Sequence, residues 1–421
     1  MPMKNKWFLI AAAVCVGCAV FATIAFKPGI DPIPTPGADT FDAASVGRGA
    51  RVVAQGDCMV CHTAAGGAPF AGGLPLKTPF GTIYTTNITP DPATGIGRWS
   101  LAAFTRALRQ GVARDGHLLY PAFPYIHYTK MSTADINDAY AYLMTRTPVA
   151  YKAPDNDLLP PLRLRPLLAG WNLLYLRPGP VADDRSQSAE WNRGRYLVDG
   201  AGHCASCHSA LGPIGGERSP AFGGGHIDGW DAPSLTTLLQ APKPWTREQL
   251  ALYLRHGWSS EHGAAAGPMG PVAHSLSQVP QQDTDAIATY IMSLQQPAAK
   301  ATAPAAATDT ARIAAGARLF AGACAGCHGS AAPMMTAGGR PSLALSSAVA
   351  SDRPDNLIQI MLNGVPWSHA QQTTFMPPFA ASLTDAQIAS IAAYVRADIG
   401  KRAAWTGVEP RAADIRKENQ Q

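Results

Sequence analysis

Three copies of one five-residue pattern constrain this chain more than anything else in it. They are Cys58-Met59-Val60-Cys61-His62, Cys204-Ala205-Ser206-Cys207-His208 and Cys324-Ala325-Gly326-Cys327-His328, set 146 and 120 residues apart. Two thiols three positions apart, followed at once by an imidazole, form the attachment pattern of c-type haem. The thiols add to the haem vinyl groups as thioethers, and the histidine is then held under the iron. One Cys-x-x-Cys alone also fits a zinc half-site or a redox pair. Zinc asks for a second Cys or His pair nearby, and no copy has a second cysteine pair. Six of the eight cysteines belong to the three motifs. The other two, Cys15 and Cys18, lie in an apolar N-terminal run, so none remains for a structural disulfide elsewhere. The motifs predict three covalently bound haems c.

A larger repeat surrounds each motif. A short amphipathic helix precedes it, over residues 46–55, 191–198 and 313–320, and carries Gly49, Gly194 or Gly316 eight to ten residues before the first cysteine. Each copy closes with a helix bearing a tyrosine in a common frame: Tyr142, Tyr290 and Tyr394. A glycine on one helix lets a second helix approach its backbone closely, so the first and last helices of each copy are expected to cross there. A middle helix follows Trp99-Ser100 and Trp245-Thr246 and stops at Gly111 and Gly257; its third counterpart stops at Gly364. Ser132-Thr133-Ala134-Asp135 and Thr384-Asp385-Ala386-Gln387 read as starts of closing helices, the second as a capping box. Strand signals are few and short. The expectation is an all-α chain of three tandem class I cytochrome c domains, over residues 44–147, 189–296 and 310–399. A proline-rich connector spans 148–188, an alanine- and proline-rich linker spans 297–309, and the polar tail after 399 is expected to be loosely held.

Residues 7–26 carry no charge and are almost wholly apolar, with Lys4 and Lys6 before them and Lys27 after. Twenty such residues are long enough for a transmembrane helix, and the basic flank directs the rest outward. A cleaved signal peptide is the competing reading, since Val20-Phe21-Ala22 fits a small-x-small cleavage site. The length of the run favours a retained anchor. The expected location is the bacterial inner membrane, with the haem domains facing the periplasm.

The sixth iron ligand has to come from elsewhere in each copy. Methionine opposite histidine raises the potential and closes the iron. Met131 lies in the loop before the first closing helix, Met269 in Gly-Pro-Met-Gly-Pro, and Met376 in Phe-Met-Pro-Pro-Phe. These three are the candidates, with His127 as an alternative in the first copy. Met144, Met292 and Met361 sit in helices and read as core, and Met334 and Met335 follow their motif too closely. Carbonyls near Pro69, Pro213 and Pro333 or Pro341 are candidate partners for the second ring nitrogens of the histidines.

The net charge of +5 over 421 residues is small, and no basic stripe argues for nucleic acid. No triad, phosphate loop or paired carboxylate stands out, so the chain is expected to have no substrate site of its own. A multi-haem peroxidase would need an open distal side and acid–base groups beside it; a methionine in every copy argues against that. A haem–copper oxidase subunit usually has two motifs rather than three. Residues 158–176 are apolar with interspersed arginines. They fit either packing between modules or contact with a partner subunit or membrane surface.

The chain resembles the cytochrome c subunits of membrane-bound periplasmic dehydrogenases that oxidise alcohols, aldehydes, gluconate or fructose. The resemblance covers nearly everything after residue 44. It is carried most specifically by Gly81-Thr82-Ile83-Tyr84-Thr85-Thr86-Asn87-Ile88-Thr89-Pro90-Asp91, by Gly95-Ile96-Gly97-Arg98, and by Met269 in its loop. It implies an electron-transfer subunit that accepts electrons from a catalytic dehydrogenase and passes them to ubiquinone or a terminal oxidase. Phe123-Pro124-Tyr125, Tyr140-Ala141-Tyr142-Leu143-Met144 and Arg165-Pro166-Leu167-Leu168-Ala169-Gly170-Trp171-Asn172 look like cytochromes paired with molybdopterin aldehyde dehydrogenases. That resemblance implies a large molybdenum subunit and a small iron–sulfur subunit as partners.

Overall fold

The computed structural model describes residues 12, 15–17, 19, 21–297, 309–336, 340–369 and 372–420. Each motif sits in the same succession of helices. In the first repeat these are Ala43–Gln55, Cys58–Cys61, Leu101–Gln110 and Thr133–Met144. In the second they are Ala189–Tyr196, Ala205–His208, Arg247–His256 and Gln281–Ser293, and in the third Thr310–Ala323, Ala325–His328, Asp355–Asn363 and Asp385–Tyr394. Side chains start the first helices: Asp42, Ser188 and Asp309 accept from the N–H three residues on, at 2.9, 3.1 and 2.9 Å. Ser100 and Thr246 do the same for the middle helices, and Thr384 with Gln387 completes the expected capping box. Gly111, Gly257 and Gly364 end the middle helices at φ 63°, 65° and 70°, a backbone that a side chain rarely adopts.

The helix crossing inferred from glycine and tyrosine is present three times. A Cβ on Gly49 would lie 1.9 Å from Asp138 O and 2.7 Å from Tyr142 Cβ. On Gly194 it would lie 2.0 Å from Ala286 O and 2.8 Å from Tyr290 Cβ, and on Gly316 2.0 Å from Ser390 O and 2.9 Å from Tyr394 Cβ. Ion pairs hold the same joint in two repeats. Arg48 Nε reaches Asp138 at 2.6 Å and Arg193 Nε reaches Asp283 at 2.7 Å. Burial works against ionisation of Asp138, but hydrogen bonds from Arg48 and Ser45 outweigh it and hold the carboxyl below its ordinary range.

The expectation of an all-α chain does not hold. About half the chain is helical, and nine short strands form four antiparallel sheets among the described residues. Strands β1 (Pro75–Thr78), β2 (Gly81–Tyr84) and β3 (Asp157–Leu158) make one sheet. Three hairpins follow: β4 (Gly225–Ile227) with β5 (Trp230–Ala232), β6 (Trp258–Ser259) with β7 (Gly263–Ala264), and β8 (Val365–His369) with β9 (Gln372–Met376). Strands of two to five residues are too short to write an alternating pattern of burial into the sequence. The last two hairpins directly follow the glycine that ends a middle helix. In the first repeat a single bridge, Val112 with Leu118, stands in that place.

The expected transmembrane helix over residues 7–26 is also overturned. Residues 7–11, 13, 14, 18 and 20 of that run lie outside the described residues, and among the described residues no helix is long and apolar enough to cross a membrane. The end of the run is taken up by the protein itself: Ala25, 4% exposed, packs with Val112, Leu118 and Ala169. The inner-membrane location was inferred from that helix and falls with it.

The described chain forms two compact units. One comprises Met1–Asp183, Asp199–His203 and Pro213–Gly216; the other comprises Asp184–Val198, Cys204–Gly212 and Glu217–Gln421. In the first, the connector packs onto the first repeat. Leu158 joins β2 opposite Gly81, Tyr125 Oη donates to Asn172 Oδ1 at 2.6 Å, and Trp171 is 8% exposed. Leu164, Leu167, Leu173 and Leu174 remain exposed on it. In the second unit the tail is not loose. A helix over Val408–Glu418 buries Val408, Ala412 and Ile415 in the core of the third repeat, with Leu357, Ile358 and Ile388. Most of the linker, residues 298–308, lies outside the described residues.

Candidate haem-binding sites

The three motifs adopt one local geometry. The backbone N–H of the histidine donates to the carbonyl of the first cysteine at 2.9 Å for His62 and Cys58, 3.0 Å for His208 and Cys204, and 2.8 Å for His328 and Cys324. One helical turn therefore brings the first cysteine, the second at i+3 and the histidine at i+4 to the same face. In the first repeat Asp57, at φ 52°, opens that turn directly after Gly56 closes the preceding helix.

The second ring nitrogen is fixed by a carbonyl far along the chain. His62 Nδ1 lies 2.5 Å from Thr86 O, 24 residues on. His208 Nδ1 lies 2.7 Å from Pro233 O, 25 residues on. The carbonyls near Pro69 and Pro213 do not fill this role. Burial holds His62 and His208 below the ordinary imidazole range, against the opposing effect of these bonds. Burial, then the charge of Arg340, does the same for His328. In all three the shift favours the neutral imidazole, the form that ligates a metal. Burial, then the neighbouring Cys61 and Asp57, pushes the Cys58 thiol up to about 12.

Matching backbone devices position Thr86 and Pro233. Phe70 and Phe222 both sit in the left-handed region, at φ 63° and 65°, which is rare for a bulky side chain. Each gives its N–H to a hydroxyl next to the motif histidine, Phe70 to Thr63 at 3.2 Å and Phe222 to Ser209 at 2.9 Å. Two residues on, Gly72 N–H donates to His62 O at 2.7 Å and Gly224 N–H to His208 O at 2.8 Å. Phe70 O and Phe222 O in turn accept from Ile88 and Leu235, each at 2.9 Å and two residues beyond the carbonyl that holds the histidine. The sequence reading missed this; the shared Phe-x-Gly of Phe70-Ala71-Gly72 and Phe222-Gly223-Gly224 was the available signal. The segment from Gly81 to Asp91 also acquires a physical role. Asn87 donates to Val149 O at 2.7 Å and accepts from Thr89 N–H at 2.9 Å, while Asp91 accepts from Thr94 N–H at 2.7 Å. This network stiffens the loop that presents Thr86 O.

The candidate methionines lie in three settings. Met131 is 4% exposed and belongs to a core group that Cys58 packs against, with Val52, Phe104 and Tyr128. Met376 ends β9 and packs, as Cys324 does, against the core of the third repeat. Met269 is half-buried and begins a helix, Met269–Ser277, rather than lying in an open loop. Met144 and Met361 are 3% and 5% exposed within helices. His127 is buried, with its Nδ1 3.0 Å from Asp199 O.

These donors suit covalent haem c: a thiol pair on one turn, an imidazole whose Nδ1 is engaged in the first two repeats, and a thioether within each repeat. The second repeat also buries His262 Nε2 with no partner among the described residues. An unpaired buried polar atom costs about 1–3 kcal/mol.

Repeated helix crossings around Cys-x-x-Cys-His turns define a c-type cytochrome of several modules. Comparison with known proteins agrees. The family model described as "Cytochrome c" matches residues 192–295, and that described as "Cytochrome C oxidase, cbb3-type, subunit III" matches residues 311–395. The chain is 46% identical over 98% of its length to a nicotinate dehydrogenase subunit of Pseudomonas putida, of which it spans only 36%. It is 36% identical to the gluconate 2-dehydrogenase cytochrome c subunit of Pantoea cypripedii, covering 90% of this chain and 91% of that protein. It is 34% identical to the fructose dehydrogenase cytochrome subunit of Gluconobacter japonicus, covering 89% and 83%. The chain belongs to the cytochrome c subunits of dehydrogenase complexes, and its cytochrome c domains imply covalent haem c.

Proposed function

We propose that this chain carries electrons for a catalytic dehydrogenase subunit through three haems c. Cys58 and Cys61, Cys204 and Cys207, and Cys324 and Cys327 hold them covalently, in domains over residues 44–147, 189–296 and 310–399. His62, His208 and His328 would each ligate an iron, with Met131, Met269 and Met376 as the second protein ligands. The bound group supplies reversible one-electron chemistry. The protein favours the neutral form of each histidine by burial, engages Nδ1 of His62 and His208 with backbone carbonyls, and packs apolar side chains around the sites. The reading rests on one observation above all: three Cys-x-x-Cys-His turns share a single backbone geometry.

The methionine assignment is tested by Met376→Leu. Cys324, Cys327 and His328 are untouched, so haem should stay attached. One potential should fall, on the order of 0.1 V out of the roughly 0.8 V that axial ligands span. Unchanged spectra and potentials would move the assignment to another residue, with Met361 the next candidate.

The electron donor in this reading is a molybdopterin dehydrogenase with a small iron–sulfur subunit, and the acceptor is ubiquinone or a terminal oxidase. Resemblance through residues 123–144 and 165–172 supports that partner. The 46% identity to a subunit named for nicotinate dehydrogenase favours nicotinate or a similar ring carboxylate over an aldehyde as the primary substrate. A quinoprotein alcohol dehydrogenase or a flavin-dependent gluconate or fructose dehydrogenase is the second reading, supported by relatives whose full length this chain nearly matches. Polypeptides that co-purify with the native chain decide between them. A molybdenum-containing subunit is expected; a quinoprotein or flavoprotein in its place would overturn the first reading.

A further inference from the structure

The loop that holds His208 is itself held by the third repeat. Pro233, whose carbonyl takes the hydrogen bond from His208 Nδ1, directly follows β5. β5 pairs with β4 in a short hairpin, with His226 opposite Asp231 and a turn at Asp228 and Gly229. Asp231 N–H donates to Asn356 Oδ1 at 2.8 Å, and Asn356 Nδ2 donates back to Asp231 O at 2.8 Å. One amide side chain thus clamps both backbone polar groups of a residue two positions before Pro233. Gln359, three residues on and so on the same face of the helix Asp355–Asn363, donates to Gly229 O at 3.3 Å in the hairpin turn.

The clamp is stiff on the side of the third repeat. Gln359 is 1% exposed, and its Oε1 accepts from Asn363 at 2.7 Å and Asn419 at 3.1 Å, which fixes its amide. Arg353 bridges Asp231 at 3.5 Å and Asp355 at 3.1 Å, and Asp355 is also paired with Arg411 at 2.7 Å. A joint needed only to keep two repeats together could use any patch of surface. This one ends two residues from the carbonyl that orients an axial histidine.

The geometry points to Asn356 as a positioning residue for His208: a side chain of the third repeat that sets the hydrogen bond of the second repeat's axial ligand. The inference rests on the reading of His208 as a haem ligand. A hydrogen bond from Nδ1–H to a carbonyl makes the imidazole a stronger donor. Stronger donation favours the oxidised iron, so slackening the bond raises the reduction potential.

The test uses the full-length, haem-loaded chain with Asn356→Ala and, separately, Gln359→Ala. Covalent haem content, the midpoint potentials and the paramagnetic NMR spectrum of the oxidised protein are measured, with the second haem assigned through Met269→Leu. Haem content should not change. The second haem's potential should rise by up to about tenfold in its redox equilibrium constant, about 59 mV for one electron, with less change in Gln359→Ala. Its histidine resonances should move while those of the other haems stay in place. A lower melting temperature with all potentials and histidine resonances unchanged would show a joint and nothing more, and would overturn the inference. Should Asn356→Ala fail to fold, Asn356→Asp keeps an acceptor for Asp231 N–H but removes the donor to Asp231 O; unchanged potentials and histidine resonances in that variant would overturn the inference equally. Absence of haem on Cys204 and Cys207 in the parent chain would instead refute the ligand reading.

Discussion

Gly194→Ala is expected to destabilise the second repeat by more than about 3 kcal/mol, beyond the usual range for an overpacked core. Within a helix the same change normally stabilises, by roughly 0.5–1 kcal/mol. Here the added carbon would lie 2.0 Å from Ala286 O and 2.8 Å from Tyr290 Cβ. Neither neighbour is the far end of a flexible side chain. Ala286 O belongs to the backbone of the closing helix, so relief requires moving the whole helix. Gly49→Ala and Gly316→Ala meet the same obstacle, at 1.9 Å from Asp138 O and 2.0 Å from Ser390 O. The protein contains its own controls. Gly47 and Gly322 lie on the same first helices as Gly49 and Gly316, and a Cβ at either would meet nothing within 4 Å. Gly47→Ala and Gly322→Ala should be neutral or stabilising. Chemical unfolding followed by circular dichroism measures the difference. Equal effects at Gly47 and Gly49 would refute the crossing as a determinant of the fold.

Replacing both cysteines of one motif is expected to remove one haem and no more. Cys204→Ala with Cys207→Ala eliminates both thioether positions of the second site and leaves Cys58, Cys61, Cys324 and Cys327 in place. The covalent haem content should fall by one third. The other two sites should be little affected, because each motif forms a turn of its own. The matching substitutions at Cys58 and Cys61, and at Cys324 and Cys327, should do the same. A pair whose loss leaves the haem content unchanged would mark a motif that carries no haem.

The parts legible in the sequence were those written in short, repeated signals. Cysteine and histidine spacing gave the three Cys-x-x-Cys-His turns, and glycine paired with tyrosine gave the helix crossings at Gly49, Gly194 and Gly316. The capping box at Thr384 could be read for the same reason: its chemistry lies within four residues. What lay hidden depends on long-range pairing. The shared Phe-x-Gly marks the loops, but nothing in it names Thr86 O and Pro233 O, 24 and 25 residues on, as the partners of His62 and His208. Strands as short as β6 and β7 bury no alternating face and leave no period of two. Polarity misled at the C-terminus, where Val408, Ala412 and Ile415 form a narrow apolar stripe on an otherwise charged helix. Hydropathy misleads at the N-terminus, where an apolar run of membrane-span length ends packed, at Ala25, against Val112 and Leu118.

Every role proposed for this chain depends on three covalent haems, and counting them is the decisive measurement. The chain should be purified in haem-loaded form, its protein concentration fixed by amino-acid analysis, and its haem content measured by pyridine haemochrome absorbance and by intact mass under denaturing conditions. A ratio of three is expected, with the mass of three haems retained after denaturation because thioethers survive it. A ratio of two or one, or haem that is lost on denaturation, would contradict it.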